Sequence, residues 1–150
     1  MDSLLAQYAK LDKTNGFDEH GDPLVALVVE DSPVQQAELR YALWTVGYLI
    51  KDAYSIEEAL EHYKSSKPHV VTLDLLLPDA DGVEGLKRIL ELDPDAKIVI
   101  ISTQAIKEIV LQAVKLGVHN FIAKPFDEKN LKQGLEVIKT AALSKPKSKS

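Results

Sequence analysis

A chain of 150 residues is long enough for one hydrophobic core, and 45% hydrophobic with 27% charged residues is an ordinary composition for a soluble globular protein. A net charge of −5 argues against nucleic acid as a direct partner, and the lack of cysteine excludes disulfides, thiolate metal sites and a cysteine nucleophile. No apolar run approaches the ~20 residues that span a bilayer, and the amino terminus lacks the charged-then-apolar order of a signal peptide, so a cytoplasmic protein without membrane contact is expected.

Leu4, Leu5, Tyr8 and Leu11 recur at three- and four-residue spacing, which predicts a short amphipathic helix over Asp2 to Leu11. Asp12 to Pro23 is polar, carries Gly16 and Gly21, and reads as a linker, so residues 1–23 form an extension. Leu24 to Val29 is an unbroken apolar run ending in Glu30-Asp31, a first strand that delivers two carboxylates to its carboxyl end. Ser32-Pro33 opens a helix to about Val46, stopped by Gly47. Tyr48 to Asp52 is a second strand, and the capping box Ser55-Ile56-Glu57-Glu58 starts a helix to about Tyr63.

Val70 to Asp74 is an apolar, β-branched run closed by a carboxylate, and the loop Pro78-Asp79-Ala80-Asp81-Gly82 follows three leucines later. Val83 to Leu92 is helical and ends at Asp93-Pro94; Lys97 to Ile101 is a fourth strand running into Ser102-Thr103. Ala105 to Leu116 is helical, His119 to Ala123 is a short fifth strand, and Lys124-Pro125 follows it. Asp127 caps a last helix, with Phe126 and Leu131 spaced as a hydrophobic staple and Leu131, Leu135, Ile138 and Ala142 on its core face. The Lys/Ser-rich end, residues 144–150, is expected to be disordered.

Five strands alternating with five helices predict an α/β domain over residues 24–143: a five-stranded parallel sheet, doubly wound, with an N-terminal helical extension. Such sheets take ligands outside the carboxyl ends of the strands, where the strand order reverses. That rim receives Glu30 and Asp31 from strand one, Asp74 from strand three, Ser102 from strand four and Lys124 from strand five. Two carboxylates about 4 Å apart repel by roughly 4 kcal/mol at an effective dielectric near 20, so three together call for a proton or a cation. Oxygen ligands alone suit Mg²⁺, and a divalent ion beside a carboxylate and a lysine is equipment for phosphoryl transfer.

With Val-Val-Glu-Asp at strand one, Leu-Asp-Leu-Leu-Leu-Pro-Asp-Ala-Asp-Gly at strand three, Ile-Ile-Ser-Thr at strand four and Ala-Lys-Pro-Phe after strand five, the chain resembles the receiver domains of bacterial two-component response regulators. The similarity covers about Leu24 to Leu143 and is of the stand-alone, chemotaxis-regulator kind, with the flavodoxin-like receiver fold. The resemblance implies that Asp74 accepts a phosphoryl group from a phosphohistidine on a histidine kinase or histidine-phosphotransfer protein. It implies Mg²⁺ held by Glu30, Asp31, Asp74 and the backbone carbonyl of Leu76, with Lys124 pairing the phosphoryl oxygens. Ser102 and Phe121 would be the switch residues, and the fourth helix, fifth strand and fifth helix the face that binds a downstream protein. The Lys124-Pro125 bond matches one that is cis in the family. Catalysis would extend only to the protein's own phosphorylation and dephosphorylation. Glu30 stands where the family usually has Asp, and Leu76 is apolar where many members are polar, which puts the usual dephosphorylation rate in question.

Phe121 can also be read as a core aromatic, and His119 as a surface residue. Val34, Ala37, Tyr41 and Trp44 form a second apolar stripe on the first helix, opposite the core stripe Leu39, Leu43 and Val46. The amino-terminal helix is expected to cover it, within one molecule or across a homodimer. Three roles remain open at this point: a switch acting on another protein, a phosphorelay intermediate, and the excised receiver of a longer regulator. A flavodoxin-like flavin binder shares the topology but would need a hydroxyl-rich phosphate loop after strand one, which this chain lacks.

Overall fold

Residues 24–45, 47–77, 82–103, 107–124 and 128–143 are described by the computed structural model. The expected amino-terminal helix and linker, the Pro78–Asp81 loop, the Asp127 cap with its staple, and the Lys/Ser end lie outside them. The strands are β1 (Val25–Val29), β2 (Leu49–Ala53), β3 (Val70–Leu73), β4 (Ile98–Ser102) and β5 (Asn120–Ala123). Between and after them run α1 (Pro33–Thr45), α2 (Ile56–Ser66), α3 (Gly82–Leu92), α4 (Lys107–Leu116) and α5 (Glu128–Leu143).

All strand pairs are parallel, in the order β2-β1-β3-β4-β5. β1, β3 and β4 are buried along their whole length, as strands covered on both faces must be, and their β-branched sequences suit that setting. One face packs Leu27, Val29, Leu73 and Ile100 against Ile56 and Ala59 of α2, Leu86 and Ile89 of α3, and Ala113 of α4. The other packs Val28, Val70, Val99 and Ile101 against Leu39 and Leu43 of α1 and Ile138, Ala141 and Ala142 of α5. Because the chain passes from β2 over β1 to reach β3, the order reverses between β1 and β3. The register pairs Val29 with Leu73, so the next residues, Glu30 and Asp74, emerge side by side at that reversal.

Local chemistry sets the element ends. Ser55 caps α2 by accepting from the Glu58 N–H at 3.2 Å, while Glu58 reaches back to the Tyr54 N–H at 2.9 Å. That helix runs three residues past the expected Tyr63, because Lys67 adopts a left-handed conformation (φ 45°) and closes it with a bond to the Tyr63 carbonyl. β2 and β4 each lie one residue later than expected, which makes Ser102 the last residue of its strand rather than the first of the loop. Gly82 opens α3 directly against Leu75, where an added Cβ would stand 2.4 Å from the Leu75 Cα and carbonyl oxygen. Among the described residues no helix is long and apolar enough to cross a membrane.

The second stripe on α1 is corrected in part. Val34, Ala37 and Tyr41 are exposed, but Trp44 packs on Val25 and Leu49, because the end of α1 leans over the edge pair β1–β2. The buried face of α1 is Gln36, Leu39, Ala42 and Leu43, while Val46 lies outside the described residues. His119 is half-buried rather than on the surface, and its backbone N–H, at the entry to β5, donates to the Ile98 carbonyl at 2.8 Å.

Candidate phosphoryl-transfer site

Each rim residue is delivered by a strand end that the ladder itself fixes. The Glu30 N–H donates to the Ala53 carbonyl at 3.0 Å, the Asp74 N–H to Val29 at 3.0 Å and the Lys124 N–H to Ser102 at 3.0 Å. Backbone pairing therefore continues one residue past the strands and holds these side chains at the sheet's edge. One donor oxygen each from Glu30, Asp31 and Asp74 lies within 4.8 Å of the others. Glu30 and Asp74 are buried and Asp31 is exposed, so the cluster opens to solvent on one side.

Asp74 is surrounded by donors. Its Oδ1 accepts from the Leu76 N–H at 2.8 Å and from the Ser102 hydroxyl at 3.1 Å, and its Oδ2 pairs with the Lys124 ammonium at 2.9 Å. The same ammonium contacts Glu30 Oε2 and Gln35 Oε1. Glu30 Oε1 also accepts from the Ser32 N–H at 3.1 Å.

The two buried acids are pushed apart in acidity. Burial raises Glu30 from 4.5 to about 7, reinforced by its hydrogen bond with Asp74 and opposed by Lys124 and the Ser32 N–H. Burial also disfavours the Asp74 anion, but hydrogen bonds from Glu30, the Leu76 N–H and Lys124 outweigh it, so Asp74 lies below the ordinary aspartate range. One proton shared toward Glu30 thus relieves the repulsion and leaves Asp74 as the ionised member of the pair.

All five rim residues expected from the sequence converge. The Leu76 side chain is half exposed beside Asp74. Phe121 is half-buried and packs against the core on the α2–α4 face, two residues from the strand's end. Two features escape sequence reasoning. One is Gln35 on Lys124. The other is Asp52 of β2, which pairs with Gln36 and, at 3.4 Å, with Arg40. Gln36 also donates to the Val28 carbonyl at 3.3 Å, tying α1 to β1 behind the site.

The donor set fits a hard divalent cation: three carboxylates, no sulfur or imidazole among the clustered groups, and an open side for water.

The sequence model of the response regulator receiver domain matches residues 26–136. The chain belongs to the response regulator receiver family. It is 33% identical over 113 residues to the chemotaxis protein CheY of Thermotoga maritima, across 75% of this chain and 94% of that relative. With the chemotaxis protein CheY of Treponema pallidum it shares 39% over 119 residues, 77% of this chain and 83% of the relative. Among solved structures it is similar to a chain of the CheX–CheY–BeF3–Mg²⁺ complex of Borrelia burgdorferi, at 29% identity and a TM-score of 0.78, covering 89% of this chain and all of that one. This receiver domain is a module of two-component and chemotaxis signalling, with the flavodoxin-like fold.

Proposed function

We propose that the protein takes a phosphoryl group onto Asp74 from the phosphohistidine of a cytoplasmic kinase or phosphotransfer protein, and that this resets a protein-binding face. The observation that carries this reading is the convergence on one ionised carboxylate of a lysine, a hydroxyl and a backbone N–H, beside two further acids.

In the transfer, an Asp74 oxygen attacks phosphorus in line; the P–O bond forms as the P–N bond breaks, and the imidazole leaves with the electron pair. Glu30, Asp31, Asp74 and the Leu76 carbonyl would hold Mg²⁺, whose charge would neutralise the phosphoryl oxygens. The remaining work falls to this chain's side chains. Lys124 and Ser102 already donate to Asp74, so each needs only to turn from the carboxylate to a phosphoryl oxygen. Movement of Ser102 toward the phosphoryl group would be felt at the end of β4 and in the neighbouring β5, which carries the half-buried Phe121. The face affected is α4–β5–α5, on which Leu111 and Val114 are exposed. A CheX-like protein, as in the Borrelia complex, is one kind of partner such a face or site would meet.

Intact-mass measurement with acetyl phosphate tests this. One phosphoryl group should be gained with Mg²⁺ present, and none after chelation or in Asp74→Asn. Labelling that persists in Asp74→Asn would overturn the assignment.

A further inference from the structure

Among the described residues, the Lys124 ammonium has three acceptors: Glu30 Oε2, Asp74 Oδ2 and Gln35 Oε1. An ammonium offers three N–H donors and no acceptor, so these contacts saturate it. Its side chain is almost wholly buried, so each of these partners matters to a charged donor that bulk solvent barely reaches. Two of the three acceptors are carboxylates that phosphoryl transfer needs for other tasks. The third is neutral and belongs to neither the metal set nor the acceptor. Gln35 projects from the first turn of α1, where its backbone N–H leans on the Ser32 hydroxyl at 3.4 Å. Gln35 and Lys124 both line a cavity of about 330 Å³, together with Val34, Leu39 and Thr103. Gln35 thus stands beside Lys124 on the α1 wall of the site.

We propose that Gln35 is the positioning residue for Lys124, its side-chain carbonyl holding the ammonium at the α1 wall of the site while the carboxylates serve other ligands. The inference rests on the phosphotransfer reading of the same site. A cation among Glu30, Asp31 and Asp74 repels the ammonium, and a phosphorylated Asp74 presents phosphoryl oxygens in place of Oδ2. Both changes withdraw a carboxylate partner, and Gln35 alone is left untouched. Its neutrality also matters. A neutral carbonyl orients the ammonium without competing against a phosphoryl anion, whereas a carboxylate at position 35 would draw the ammonium back. Opposite chemical errors at this position, no acceptor or too strong an acceptor, should both slow transfer.

A double-mutant cycle on the full chain tests this, with the rate of phosphorylation by acetyl phosphate and the Mg²⁺ affinity as readouts. Gln35→Leu should slow phosphorylation about tenfold, the loss of one hydrogen bond to a charged group, while Mg²⁺ affinity stays within about twofold. Gln35→Glu should slow phosphorylation too, but tighten Mg²⁺ binding by adding a carboxylate to the rim. In a Lys124→Met background, Gln35→Leu should have no further effect. An equal effect in both backgrounds, or none when Lys124 is present, overturns the proposal. A readout independent of turnover is hydrogen exchange of the ¹⁵N-labelled Lys124 ammonium in the unphosphorylated protein. Exchange should quicken severalfold in Gln35→Leu, and unchanged exchange overturns the contact itself. If the parent takes up no phosphoryl group, the phosphotransfer reading fails, and the ammonium exchange still decides the role of Gln35.

Discussion

Mg²⁺ binding should depend steeply on pH in a range where an ordinary carboxylate would be indifferent. In the metal-free protein burial raises Glu30 to about 7, whereas Asp74 is held below the usual aspartate range. A metal ligand must be deprotonated, so lowering the pH through 7 makes the cation compete with a proton on Glu30. With a pKa of about 7, roughly 9% of Glu30 is ionised at pH 6 and roughly 91% at pH 8, so the apparent affinity should rise about tenfold between them. Asp74 stays ionised across that interval and contributes nothing to the slope. Calorimetric titration in buffers of different ionisation enthalpy counts the protons: about 0.9 released per Mg²⁺ at pH 6, about 0.5 at pH 7 and about 0.1 at pH 8. Glu30→Gln should weaken binding and abolish the slope. Equal affinity at pH 6 and pH 8 with no proton release would refute the assignment of Glu30 as a buried, raised acid in the metal set.

Gly82→Ala should destabilise the protein by about 3 kcal/mol or more in urea unfolding, because the new Cβ would lie 2.4 Å from the Leu75 backbone and α3 would have to move off the loop that carries Leu76. Leu76→Asn should speed loss of the phosphoryl group by roughly tenfold, since a half-exposed amide beside Asp74 can orient a water that the leucine excludes; timing the loss of mass after removal of the donor checks it, and an unchanged or slower rate counts against the idea.

What was legible in the sequence follows from how the sheet is built. β1, β3 and β4 are buried on both faces, so each reads as an unbroken apolar run, and the first polar residue after it marks the carboxyl edge. Glu30, Asp31, Asp74 and Ser102 are all visible in that way, and Lys124 follows the shorter β5. Gln35 and Gln36 are not. On an amphipathic helix a glutamine is indistinguishable from a solvated residue until the strand beneath supplies its partner. Gln36 is buried only because Asp52 and the Val28 carbonyl lie under it, and Gln35 is functional only because Lys124 arrives from a strand 89 residues further on. Trp44 misleads for the converse reason. Its spacing places it with Val34 and Tyr41, but a large side chain in the last turn of α1 can fold over the sheet edge onto Val25 and Leu49. The expected second strand ended on Asp52, whereas the ladder runs on to Ala53 and makes Asp52 a paired position of β2 opposite Val28, with Gln36 and Arg40 as partners that only the fold supplies.

An acyl phosphate on Asp74 can be trapped chemically. Borohydride reduces an acyl phosphate on aspartate to the homoserine alcohol, expelling phosphate, and leaves free carboxylates and phosphohistidine untouched. Protein treated with phosphodonor and Mg²⁺, reduced, digested and sequenced by mass spectrometry should carry homoserine at position 74. Protein kept metal-free should carry none. Homoserine at Asp31 or any other acid, or a phosphoryl group that survives reduction on a histidine, would rule out Asp74 as the acceptor.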